Sequence, residues 1–202
     1  MAAEKTDMSR QDYFVSKWNR DVYAAGKNSV FEVIDQHLSA PPKRILDIGC
    51  GFAQVSELFQ KKYGTELYLL DGDSDSNSAT ATRKNKYGSV DNFQFYLPEA
   101  TLKSHWNDRD MSYTFVDARN PLIDPTVKFD LVYSLLSCGF HYPVLTYRDF
   151  IRKHTDQDSI IIMDFRRKII AREQESAGFN IVHRLEGSDD SKKNKLQIKF
   201  RD

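Results

Sequence analysis

The sequence predicts a doubly wound α/β domain: five parallel strands, then an antiparallel C-terminal hairpin, with helices ahead of the sheet. Three observations carry this. From Arg44 onward, short apolar runs alternate with polar, helix-compatible stretches. The first five runs are almost continuously apolar, as strands buried on both faces of a parallel sheet must be. The last two are separated by a polar turn, Glu186 to Asn194, containing Gly187-Ser188-Asp189-Asp190, and so read as a hairpin.

Taken in order, Tyr13 to Leu38 has helical spacing: Tyr13, Phe14, Trp18 and Val22 recur on one face, then Val30, Val33, Ile34 and Leu38. Ala25-Gly26-Lys27-Asn28 marks a break between two helices, with Asn28 or Ser29 capping the second. Pro41-Pro42 ends this helical part, because proline cannot continue it. Residues 1–42 are thus an N-terminal helical extension that packs on the sheet or covers the site as a lid. Residues 43–202 form the main domain. Its strands are Arg44 to Ile48, Glu66 to Leu70, Ser112 to Val116, Phe129 to Tyr133, Ser159 to Met163, Asn180 to Leu185 and Leu196 to Phe200. A helix, Gln54 to Lys62, follows the first strand. The connection Ser74 to Met111 is too long for one helix and a loop.

Composition narrows the function classes. A chain of 202 residues, 40% hydrophobic and 29% charged, is long enough for one ordinary domain with a proper core. The formal net charge of +0 supplies no global field toward nucleic acid or an anionic membrane. No run approaches the roughly 20 apolar residues of a membrane span. Met1 to Arg10 is polar and lacks an apolar signal core, and Cys50 and Cys138 alone make no disulfide framework. These features point to the cytoplasm. The oligomeric state has no signature in the chain.

The chemistry begins at Ile45-Leu46-Asp47-Ile48-Gly49-Cys50-Gly51-Phe52-Ala53-Gln54. A buried strand runs into two closely spaced glycines and then a helix, so backbone without Cβ can turn tightly and let a ligand lie against it. A dinucleotide site would place a third glycine where Gln54 stands, and fits poorly. Asp-x-Gly-x-Gly fits without strain, and a carboxylate at Asp47 suits a cationic amino group and sulfonium better than a pyrophosphate. The second station is Leu70-Asp71-Gly72, about 20 residues beyond the loop, where an acid can accept both hydroxyls of a ribose. There a carboxylate faces the cleft and does little for the core. The third is Val116-Asp117-Ala118-Arg119, where an Asp can accept from an adenine amino group.

Three stations at the ends of successive strands resemble the class I S-adenosylmethionine-dependent methyltransferase superfamily, across Arg44 to Asp202. The resemblance implies a Rossmann-like seven-stranded sheet and S-adenosylmethionine as cofactor. It implies that Gly49, Cys50 and Gly51 line the methionine part, with Asp47, Ala53 and Gln54 beside them. Asp71 and Gly72 then hold the ribose, Asp117 and Ala118 the adenine, and Ser134 ends the strand that delivers the reacting site. Ala53 replaces the family's third glycine.

The stretch after the fourth strand bears on the acceptor: Ser134-Leu135-Leu136-Ser137-Cys138-Gly139-Phe140-His141-Tyr142-Pro143. It lacks the Pro-Pro-aromatic sequence of exocyclic-amine nucleic-acid methyltransferases. The metal ligand set of catechol-type enzymes is incomplete, with Ser134 and then Asp164-Phe165-Arg166, so no metal is expected. His141 and Tyr142 remain as catalytic candidates. A histidine is the natural base for a hydroxyl nucleophile near neutral pH. Gly139 to Pro143 also resembles sugar O-methyltransferases. The connection before the third strand is rich in aromatics (Phe93, Phe95, Tyr96, His105, Trp106) that suit a sugar or flat small molecule.

The expected function is therefore O-methylation of a sugar or other small hydroxylated acceptor. The alternatives are a methyltransferase acting on nucleic acid or a protein residue, and a cofactor-binding module without catalysis. Blander roles also stand at several residues. Asp71 and Asp117 could cap helices, and His141 could be structural. Cys50 and Cys138 read as packing residues. Lys192, Lys193 and Lys195 read as a solvated turn.

Overall fold

A computed structural model describes residues 21–72, 99–106, 109–118, 120–140, 143–185 and 193–201, with the side chains of 21–25, 101 and 193 left aside. Helix α1 is Asp21–Asp35, β1 Arg44–Ile48, α2 Gln54–Tyr63, β2 Glu66–Asp71, α3 Glu99–Trp106 and β3 Thr114–Asp117. Then come β4 Leu131–Ser134, α4 Arg148–Lys153, β5 Ile160–Arg166, α5 Ile170–Ala177, β6 Phe179–Arg184 and β7 Lys193–Phe200. Short 3-10 turns cover Val144–Thr146 and Arg167–Ile169.

The seven strands form one sheet in the order β3-β2-β1-β4-β5-β7-β6. Strands β1 to β5 pair in parallel, and β7 pairs antiparallel with both β5 and β6. The hairpin therefore lies with its second strand inside and its first at the edge. All the predicted strands are present, β1 with its predicted bounds and the others with shifted ends.

Alternation along each strand feeds two cores. Leu46, Ile48, Leu70, Val116, Val132, Met163 and Phe165 face one side, against Ile151 of α4 and Ala177 of α5. Ile45, Leu67, Leu69, Leu131, Tyr133 and Ile162 face the other, against Ile34 of α1, Phe59 of α2 and Trp106 of α3. Burial on both faces is why the strands carry so few polar residues.

Two expectations need correction. Helix α1 runs unbroken through Gly26, whose surroundings hold nothing within 4 Å of an added Cβ. A glycine inside a helix costs about 1 kcal/mol relative to alanine. Val30, Phe31 and Val33 offset that by packing against the second core, and Asp35 accepts from Lys62 Nζ at 2.7 Å and Tyr63 Oη at 2.6 Å. The helix predicted around Tyr13 and Trp18 lies outside the described residues. Lys195 is not in a solvated turn: it sits on β7, is 6% exposed, and pairs with Asp164 on β5 at 2.7 Å. Its polar sequence hid the start of that strand. Among the described residues no helix is long and apolar enough to cross a membrane.

Candidate cofactor and active site

The three acidic stations lie together at the carboxyl ends of neighbouring strands. Asp71 and Asp117 are direct partners in the β2–β3 register. The loop after β1 folds back onto the end of β2, with the Gly49 amide donating to the Leu70 carbonyl at 2.7 Å. The Gly51 amide donates to Asp71 Oδ2 at 2.9 Å, and the Gly72 amide to Asp71 Oδ1 at 2.8 Å. The Ala118 amide donates to the Asp71 carbonyl at 2.8 Å, which ties in the end of β3. Asp71 is only 2% exposed. The expected cleft-facing carboxylate is thus turned into the loop, because both oxygens are needed by backbone amides there.

Gly49 has φ +70, and a Cβ there would lie 1.9 Å from Ser137 Oγ. Only glycine meets both demands. The loop after β4 is thereby pressed onto the loop after β1. Ala53 takes φ +50 as the N-cap of α2, a conformation that costs an L-residue roughly 1 kcal/mol. This explains locally why glycine suits the position. Gln54 is the first residue of α2.

Asp47 lies beneath the loop and is 3% exposed. Its Oδ2 accepts from Ser56 Oγ at 2.7 Å, and Ser56 Oγ lies 2.5 Å from Tyr133 Oη. Burial pushes the Asp47 carboxyl up to about 7, and the nearby Asp71 charge adds to this. The Ser56 hydrogen bond, Lys27 and Tyr133 oppose the shift in part. Asp47 is therefore held inside, hydrogen-bonded to α2 through Ser56, rather than standing at the loop's surface. Cys50 Sγ is 3.8 Å from Asp71 Oδ2. Burial, with the charges of Asp71 and Asp47, raises its thiol well above the usual range, so it packs and does not attack.

Ser134 is fully buried. Its hydroxyl donates to the Ile48 carbonyl at 2.9 Å and accepts from the Cys138 amide at 2.7 Å. It latches β1 to the turn after β4, and the residue of that turn that meets Gly49 is Ser137. His141 and Tyr142 lie outside the described residues, as does Arg119. The neighbours of the two candidates are placed. Gly139 approaches the Asp164 carbonyl, which an added Cβ would meet at 3.1 Å. Past Pro143, the Val144 amide donates to buried Glu173 at 2.8 Å.

The aromatic connection is also corrected in part. Trp106 is 1% exposed, donates from Nε1 to the Phe52 carbonyl at 3.1 Å, and meets Tyr113 edge-on. It clamps the glycine loop from below and offers no face to an acceptor. His105 packs on Phe52 at 4.6 Å, and burial together with Arg109 favours its neutral form. Phe93, Phe95 and Tyr96 lie outside the described residues. Sequence reasoning missed Ser56, Tyr133 and Ser137, which act only through contacts between distant elements.

No protein-family model matches the sequence, and no curated protein does. Solved structures share its fold. An S-adenosylmethionine-dependent methyltransferase from Clostridium acetobutylicum superposes with a TM-score of 0.59 at 11% identity, over 95% of this chain and 99% of that one. A methyltransferase from Pyrococcus furiosus gives 0.58 at 12%, over 87% and 83%. The plantazolicin methyltransferase in complex with SAH gives 0.54 at 16%, over 83% of this chain and 58% of that one. The chain thus shares the Rossmann-like, seven-stranded fold of these solved methyltransferase structures.

Proposed function

We propose that the protein is an S-adenosylmethionine-dependent methyltransferase that O-methylates a sugar or another small hydroxylated acceptor. The observation that carries this is the clasp of Asp71 to the Gly51 and Gly72 amides, with Asp117 in register beside it and Asp47 beneath. The donor set fits the cofactor. The tight turn at Gly49 and Gly51 leaves backbone without Cβ beside the strand ends, and buried carboxylates favour a cation. A pyrophosphate would meet the charges of Asp71 and Asp47 with no third glycine at Gln54, so NAD does not fit.

In this reading Gly49, Cys50 and Gly51 line the methionine part, Asp71 and Gly72 the ribose, and Asp117 and Ala118 the adenine. Ala53 and Gln54 shape the entry to α2. The sulfonium supplies an activated methyl group, so the protein's main task is alignment of acceptor oxygen, methyl carbon and sulfur. His141 would take the proton of the acceptor's hydroxyl, making the oxygen a better nucleophile toward the methyl group that the bound cofactor would supply. Tyr142 orients the acceptor beside it. The latch of Ser134 to Ile48 and Cys138, and the Glu173 contact at Val144, support this by fixing both ends of the segment that carries them.

The test is transfer of radiolabel from the cofactor into a fractionated metabolite extract. Label in a small hydroxylated product supports the reading. Label confined to protein or nucleic acid would replace it with the rival enzyme.

A further inference from the structure

The order β3-β2-β1-β4-β5 turns back on itself between β1 and β4. Helix α2, which follows β1, packs Phe59 into one core, and α4, which follows β4, packs Ile151 into the other. The connections leaving β1 and β4 therefore run to opposite faces of the sheet. Open α/β sheets bind ligands in the crevice that such a divergence leaves outside the carboxyl ends of the strands. The two connections still touch at their start, where Ser137 Oγ lies 1.9 Å from the place of a Cβ on Gly49.

Leu136, immediately before Ser137, is unfavourable there on two counts. Its φ is +60, and it is 41% exposed. The left-handed region drives the Cβ of an L-residue toward the following carbonyl, a clash that glycine escapes and asparagine or aspartate tolerates. The other non-glycine residues with positive φ among the described residues are Ala53, with a minimal side chain, and Asp110, of a tolerant type. Leu136 belongs to neither core, whereas its neighbour Leu135 packs against the second. Leu122 and Leu145 are more exposed, but their backbones are ordinary. A lone exposed leucine is common on any protein surface; one that also strains the chain points to function. The turn itself does not need the side chain. Ser134 braces it to Ile48 and Cys138, and the Phe140 amide donates to the Ser137 carbonyl at 3.0 Å. Glycine or asparagine at position 136 would make the same turn.

We infer that Leu136 is a specificity-determining residue that receives an apolar face of the methyl acceptor, so the acceptor is a hydroxylated aromatic molecule rather than a sugar. A phenol carries its hydroxyl beside a flat apolar face that a leucine can cover. A sugar carries hydroxyls on most of its carbons, and burying these against leucine would cost their hydrogen bonds to water. This rests on the methyltransferase reading for the word acceptor, but the apolar site can be tested without turnover. One measurement needs no ligand. Leu136→Asn and Leu136→Gly relieve the backbone, and the full chain should melt at or above the parent's temperature. A drop of several degrees in both would make the leucine structural and overturn the inference.

The second measurement follows melting of the full chain with S-adenosylhomocysteine present, against 2-naphthol and against methyl glucoside. A saturable rise in melting temperature is expected with 2-naphthol and not with methyl glucoside at equal concentration. In Leu136→Asn the apparent dissociation constant for 2-naphthol should weaken about tenfold, as loss of a partly buried apolar contact implies, and Leu136→Met should restore it. No response to 2-naphthol in the parent, an equal response in Leu136→Asn, or a stronger response to methyl glucoside overturns the inference. So does a weakened S-adenosylhomocysteine affinity in Leu136→Asn with an unchanged 2-naphthol response, which would assign the leucine to the cofactor. If S-adenosylhomocysteine does not bind while the 2-naphthol response still depends on Leu136, the methyltransferase reading falls and the apolar site remains. In the label-transfer assay the product should be retained on a reversed-phase column, and an unretained product contradicts the inference.

Discussion

The carboxylate of Asp71 accepts a 2.9 Å hydrogen bond from the Gly51 amide, so the last residue of β2 holds the loop that follows β1. This contact closes the loop, the proposed reading adds ribose recognition, and mutation separates the two.

Asp71→Ala should lower S-adenosylmethionine affinity by about 2 kcal/mol through loss of a charge-assisted contact. It should also cost about 2 kcal/mol in folding stability, because a buried and a part-buried amide lose their acceptor. Calorimetry and denaturant unfolding check the two effects. Asp71→Asn keeps one acceptor and should recover part of the stability but little of the affinity. A stability loss with no change in affinity would make Asp71 a loop brace alone.

Asp47 predicts a pH dependence of defined sign. Burial raises its carboxyl to about 7, above the value near 3.9 expected in the unfolded chain. The folded state then keeps a proton that the unfolded chain releases, so stability falls as pH rises between those two values. The loss should be roughly 2 to 4 kcal/mol in the ligand-free protein. Asp47→Asn keeps an acceptor for Ser56 and should flatten this slope in denaturant melts at a series of pH values. A bound cation favours the ionised carboxyl, so cofactor affinity should rise from about pH 6 to about pH 7.5 in the parent and not in Asp47→Asn. A parent protein with no such slope would place the Asp47 proton elsewhere.

His141→Ala should lower the turnover number about 10² to 10⁴-fold while cofactor affinity stays close to that of the parent. His141→Gln keeps a hydrogen bond, loses basicity, and should be as slow. The parent rate should climb with pH through the imidazole pKa, and both variants should lose that limb. Parental turnover in His141→Ala would leave alignment, or Tyr142, to carry the reaction.

Much of this architecture was legible because it is local or periodic. Runs such as Ile45 to Ile48 and Leu67 to Leu70 announce strands buried on both faces, and Gly49 and Gly51 announce the turn between strand and helix. What was hidden depends on partners far away in sequence. Lys195 reads as solvent-facing until Asp164, 31 residues earlier, arrives on the neighbouring strand. Trp106 reads as a binding surface until Phe52 accepts its indole proton 54 residues away. Ser134 stands out in the sequence as the end of a strand, and Ser137, three residues later, does not. Only packing makes one a buried latch and the other the contact at Gly49. The Asp47–Ser56–Tyr133 chain joins two strands and a helix, and no periodicity encodes it.

Calorimetric titration of the full chain with S-adenosylmethionine, S-adenosylhomocysteine and NAD tests the central claim most directly. The account predicts saturable binding of the first two and none of NAD. Binding should stabilise the fold by mass action, by about 2.7 kcal/mol at a ligand concentration 100 times the dissociation constant, and so raise the melting temperature. Binding of NAD with no response to S-adenosylmethionine would contradict it.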